Sequence, residues 1–233
     1  MLDTLLDTRR YLLPPMLALL CPGALSAQLP SVPIGSSPLH NYRYAAHADA
    51  VLSRGDLGRQ WALGARAAVE LDSFHFEALV ATVHAGDDQH DAATAVGLQV
   101  ARVLTHRYSP TIDIDLESGV GYARFTLPGG DRHSQLDIPL GVGVSLRAPL
   151  PVAGTPEIWL APRAQLRRSS LTSSGGTSHL TRVGGGFGFG LNFVFFSGLE
   201  AQLGAEWLWI QSETTRRTRS EPGVRLSGGY RWQ

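Results

Sequence analysis

The chain has 233 residues, with 20 basic and 20 acidic side chains and no formal net charge; every basic residue is Arg. Charged residues make up 17% and hydrophobic ones 43%, and 26 positions are Gly. A neutral chain with no Lys and no basic cluster argues against a nucleic-acid partner, whose phosphates demand excess positive charge, and the apolar content excludes a disordered chain.

Residues 1–27 have the three parts of a secretory signal. Arg9 and Arg10 form a positive start, Tyr11–Leu20 is mostly apolar, and Ala24-Leu25-Ser26-Ala27 offers small residues for cleavage. The apolar run is interrupted by Pro14 and Pro15 and is too short for a membrane-spanning helix. The single Cys, Cys21, sits within this stretch, so the remainder has no disulfide and no Cys-based metal site. A bulky Leu20 before it and Pro22 after it do not suit a lipoprotein box. Residues 28–39, QLPSVPIGSSPL, have no period and form a flexible lead-in.

From residue 40 onward, apolar and polar-or-small residues alternate. Successive strand side chains point to opposite faces, so this period predicts strands with one apolar side. In chain order the segments are 42–52, 61–71, 74–84, 94–104, 111–123, 135–147, 157–167, 183–195, 199–209 and 224–232. In 135–147, Leu136, Ile138, Leu140, Val142, Val144 and Leu146 share one face, opposite Gln135, Asp137, Gly141, Gly143, Ser145 and Arg147. Segments 111–123 and 183–195 repeat the pattern, the latter with Phe opposite Gly. A soluble β-sandwich would alternate too. Two features favour a barrel in a membrane: runs as long as 13 residues, matched to a tilted spanning strand, and a polar face of Gly, carboxylates and Arg, which suits a narrow lumen.

The connections supply a second regularity. Long polar stretches (Ser53–Gly58, Gly86–Asp91, Thr126–His133, Arg168–Leu180, Ser212–Pro222) alternate with shorter or Pro-rich ones (Asp72-Ser73, Thr105–Pro110, Ala148–Thr155, Phe196–Gly198). Outer-membrane barrels alternate long outside loops with short periplasmic turns. Ten strands with both ends periplasmic is therefore the preferred count. Eight is the alternative, because Ala45–Leu52 is rich in Ala and could be helical. Trp61, Tyr122, Trp207, Trp209, Tyr230 and Trp232, with Tyr42 and Tyr44, fall mostly near strand ends on the apolar face, as interface aromatics do.

The segments DIDLESGVGYARF (113–125), GGGFGFGLNFVF (184–195) and GVRLSGGYRW (223–232) resemble the small outer-membrane β-barrels of Gram-negative-type bacteria, the group that includes OmpA-like and opacity-type barrels. The resemblance covers most of 40–233 but rests on pattern, with little fixed sequence. It implies an all-β, closed, antiparallel, up-and-down barrel in the bacterial outer membrane. Its partners would be membrane lipid and, during biogenesis, the barrel-assembly machinery, which reads an aromatic C-terminal residue. Here Trp232 is followed by Gln233, a departure from that signal. A monomer without a cofactor or metal is expected.

If the apolar face meets lipid, the other face lines the interior. It carries Asp49, Glu70, Glu77, Asp113, Asp115, Glu117, Asp137, Glu157, Glu200 and Glu206. The bases are Arg43, Arg66, Arg147, Arg163, Arg167, Arg225 and Arg231, with His47 and His75. Arg102 and Arg124 alone fall on the lipid face, near strand ends. A lumen of this size is nearly filled by side chains, and buried charges of both signs must pair. A plugged, non-enzymatic barrel acting structurally or through surface contacts of its five loops follows; a narrow channel for small solutes or hydrophobic molecules is the alternative. A third reading starts from Asp87, Asp88, His90 and Asp91 in the second loop and Asp131 and His133 in the third. Such an Asp-rich and Asp-x-His rim resembles the omptin proteases, where carboxylates and a His pair activate water, but the surrounding family motifs are missing. His106-Arg107-Tyr108-Ser109 superficially resembles a lipid A deacylase motif but falls in a periplasmic turn. GGGFGFG precedes no helix, so it is not a dinucleotide fingerprint.

Overall fold

A computed structural model describes residues 42–55, 58–85, 92–105, 111–127, 129–148, 150, 154–211 and 218–233. The signal segment 1–27 and the lead-in 28–39 lie outside the described residues. Ten strands follow one another: β1 (Tyr44–Gly55), β2 (Gly58–Leu71), β3 (Phe74–Ala85), β4 (Ala93–Val103), β5 (Ile112–Thr126), β6 (Arg132–Arg147), β7 (Gly154–Ser173), β8 (Gly176–Phe195), β9 (Leu199–Gln211) and β10 (Thr218–Trp232). Each is antiparallel to its neighbours in sequence, and β1 pairs with β10 from Tyr44↔Trp232 to Ser53↔Gly223, so the sheet closes on itself. Closure leaves no edge strand within the ring itself. The Ala-rich start of β1 is therefore strand. An isolated helix of that length is marginal in water, whereas β10 offers a complete ladder.

The start of β1 and the end of β10 lie at one end of the barrel, here the terminal end, together with the β2–β3, β4–β5, β6–β7 and β8–β9 connections. The other five connections define the loop end. The polarity is inverted relative to a soluble protein. Outward Leu140 is 64% exposed and Val183 69%, whereas inward Asp113 and Asp137 are fully buried. An apolar belt around a closed, fully hydrogen-bonded ring is the form in which β-structure spans a bilayer.

The expected contrast in connection length is not what the fold displays. Arg168–Leu180, taken from the sequence as a long loop, is a paired ribbon running from Arg168↔Thr181 to Ser173↔Gly176. Both β7 and β8 consequently reach 20 residues. Thr218–Pro222, within the expected fifth loop, pairs with Trp207–Gln211. Polar Ser and Thr mark these stretches as loop, yet Thr favours strands, and β6 pairs with the β7 side from Leu136↔Arg168 to Arg132↔Thr172, leaving only the β8 side of the ribbon without a second neighbour. The ribbon reverses at Gly176, whose φ of +126° lies in a region that side-chain-bearing residues avoid.

Candidate functional site: the barrel lumen

Period-two alternation turns one side chain in two inward, and the inward set forms three linked groups. Near mid-barrel, Arg66 of β2 donates from Nε to Asp49 Oδ2 (2.6 Å) and from Nη1 to Glu77 Oε2 (2.7 Å). Its Nη2 donates to Gln202 Oε1 (2.9 Å) and Ser227 Oγ (3.0 Å). One guanidinium thus joins β2 to β1, β3, β9 and β10. Towards the terminal end, Glu200 accepts from Arg231 Nε (2.6 Å) and Nη2 (2.7 Å) and is 2.8 Å from His47 Nε2. Towards the loop end, Arg167 of β7 donates to Asp137 on neighbouring β6 and, across the lumen, to Glu221 on β10, both at 2.8 Å. Gln135 Nε2 donates to the other oxygen of Asp137 at 2.6 Å. Arg163 pairs with Glu206, and Arg147 with Asp113 at 2.5 Å. Buried charges are tolerated when geometry and hydrogen bonds offset lost hydration, and Arg supplies the planar, multi-donor fork that does so.

Glycines on the inward face make room for these groups. A Cβ on Gly143 would overlap the Asp115 carboxylate, and one on Gly229 would overlap the His47 ring. On Gly190 it would come 2.6 Å from Trp159 Cζ2. The Gly-rich tract of β8 is thus a set of sockets for side chains on neighbouring strands. Small residues also dominate the loop-end half of β1–β5, where Val51, Ala62, Val83, Ala93, Ala95, Ala123 and Phe125 form an apolar cluster inside the barrel.

The structure buries Asp49, Glu77, Asp113, Asp115, Glu117, Asp137, Glu157, Glu200, Glu206, Arg66, Arg167, Arg225, Arg231, His47 and His75 inside the ring. The Arg163 and Arg147 side chains are 5% and 13% exposed, and Glu70 is half-buried near the terminal end. Arg43 differs from expectation. It precedes β1, is exposed, and lies with its guanidinium carbon 5.7 Å from the Tyr44 ring centroid. Arg43 has the inward parity of Ala45 and His47 but lies before the first position that the barrel walls enclose. Two buried carboxylate or guanidinium side chains among the described residues fall outside the expected lumen set: Glu221, placed in a loop, and Arg182, whose Nη2 donates to Ser169 Oγ at 2.8 Å. Extending the parity of Arg225 back to 221, and of Gly184 back to 182, would have found both. The same parity along β7 from Arg163 and Arg167 turns Trp159 inward, and it is buried.

Of the rim candidates, Asp87, Asp88, His90 and Asp91 lie outside the described residues, as does His106–Ser109. Asp131 is half-buried in the β5–β6 connection. The His133 ring turns into the barrel, with its centroid 6.2 Å from that of Phe125. Among the described residues no group of three His, Cys, Asp or Glu side chains is placed to hold a metal ion. The outward aromatics fall towards the two ends. Trp61 stacks on His84 at 4.0 Å near the loop end. Tyr44 and Tyr230 flank Trp232 at 6.0 and 6.2 Å at the terminal end. Trp209 lies 5.7 Å from Phe187; Tyr122 is exposed and Trp207 half-buried.

A closed ten-stranded antiparallel ring, apolar outside and charged within, is a β-barrel of the bacterial outer-membrane kind. No known family and no curated protein matches the chain by sequence. Among solved structures it is similar to Neisserial surface protein A at 15% identity, covering 82% of this chain and 96% of that one, with a TM-score of 0.39. It is also similar to the translocator domain of the autotransporter NalP from Neisseria meningitidis (10% identity, 83% and 90% coverage, TM-score 0.46). The outer-membrane protease OmpT from Escherichia coli gives 6% identity, 82% and 94% coverage, and a TM-score of 0.43.

Proposed function

We propose that this protein is a plugged, non-enzymatic outer-membrane barrel, serving a structural or surface-interaction role through its loop end. The observation that carries this reading is the run of cross-lumen contacts, with Arg66 reaching β1, β3, β9 and β10 and Arg167 reaching β10. Solute passage would require parting several charge-assisted hydrogen bonds at once, each among the stronger contacts a protein makes. The apolar cluster around Phe125 adds side chains that cannot solvate an ion. The surface left to interact with other molecules is then the loop end, from which the β7–β8 ribbon projects. Planar-bilayer recording of the refolded mature chain tests the plug. The expected result is an absence of stable unitary currents; stable currents in the unmutated protein would overturn the reading in favour of a narrow channel.

A further inference from the structure

We propose that the outer face of the barrel carries a binding site for one anionic phospholipid, at the terminal-end half of β1–β5. An apolar groove of about 700 Å³ runs there between two rows of outward side chains. The rows include Ala67, Ala78, Leu98 and Val120 on one side and Val69 and Phe76 on the other. Its floor is the backbone of residues whose side chains point inward, among them Ala68 and Glu77. The groove exists because Ala67 and Ala78 stand where most of the belt has larger residues. Lipid-facing Ala leaves a hollow that bulk chains fill poorly and one ordered acyl chain fills well.

A hollow alone does not identify its occupant; the charges beside it do. Tyr44, at one end of the groove, carries the Arg43 guanidinium at 5.7 Å and stacks on Trp232 at 6.0 Å. Midway along the groove, Phe76 of β3 stacks on Phe74 at 6.2 Å, and Phe74 carries the Arg102 guanidinium, also at 5.7 Å. Arg102 follows groove-lining Val100 by two positions on the same outward face of β4. Both cations therefore sit at the terminal end of the belt, each held over an aromatic ring, and neither forms an ion pair with a carboxylate among the described residues. An apolar slot between two ring-mounted guanidinium groups complements a lipid with acyl chains and a phosphate headgroup of net negative charge. A zwitterionic lipid places a cation beside that phosphate and is disfavoured.

The full chain, refolded in detergent, is mixed with phosphatidylglycerol or phosphatidylcholine, and retained lipid is counted by native mass spectrometry. One retained phosphatidylglycerol is expected, held about tenfold more tightly than phosphatidylcholine. The double variant Arg43→Gln/Arg102→Gln should abolish that preference. Ala67→Trp, which fills the groove without altering charge, should weaken retention of both lipids. Each variant is first shown to fold by its heat-modifiable gel shift; all three positions are exposed. Equal retention of the two lipids by the unmutated protein, or an unchanged preference in the double variant, would overturn the proposal.

Discussion

At the scale of single residues, Arg66 is the most connected side chain in the lumen, with two carboxylates and two neutral acceptors on one guanidinium. Arg66→Ala leaves Asp49 and Glu77 buried without their cation. Removing one partner of a buried pair costs about 3–5 kcal/mol, because the remaining charge is stranded. Urea unfolding in lipid vesicles, followed by the heat-modifiable band, should show a fall of that size. Adding Asp49→Asn and Glu77→Gln to the Arg66→Ala background should recover much of the loss; no recovery would mean that Arg66 acts through packing instead. Residue parity made most of this network legible in the sequence, since a charge placed opposite Leu or Ile has only one inward direction. Which acid meets which base was not legible. Arg167 and Glu221 are 54 positions apart and meet only because the ring closes.

At the scale of elements, the strands with weak alternation teach more than the strong ones. Five segments, 42–52, 61–71, 74–84, 94–104 and 157–167, alternate less strictly than the rest, and in the first four both faces carry apolar or small residues. The structure supplies the reason: the loop-end halves of these four contribute Val51, Ala62, Val83, Ala93 and Ala95 to the apolar cluster inside the barrel. The opposite error occurred at the β7–β8 ribbon, where polarity concealed regular pairing. β8 pairs with β9 only from Gly184 onward, so the ribbon beyond it is held by β7 alone on that side. Replacing Leu171–Ser178 with Asn-Gly, which favours a two-residue hairpin, removes from the ring only the Leu171↔His133 and Thr172↔Arg132 pairings with β6 and should leave the barrel intact. The expected change in unfolding free energy is within about 0.5 kcal/mol. A destabilisation of several kcal/mol in the same urea assay would show that the ribbon is part of the barrel's structural core.

At the scale of the whole molecule, the decisive property is the direction of its polarity. Leu140 lies near the middle of β6 and is 64% exposed on the outward face. Leu140→Arg should cost about 2–4 kcal/mol in a bilayer, and Leu71→Arg, at the terminal end of β2, about 0–1 kcal/mol. Comparing the two variants in vesicles checks the membrane depth of each position, and equal costs would contradict the belt. Among the natural outward bases, Arg102 and Arg124 already respect this gradient by lying close to strand ends.

The contacts of Arg66 also bear on how such a ring can be made. Its partners Asp49 and Ser227 belong to the first and last strands, the two that join to shut the cylinder. A curved sheet waiting open in lipid would hold that guanidinium with only part of its neutralising set. Sealing the seam and settling the lumen's electrostatics are thus a single event, and a half-formed ring has little to keep it there.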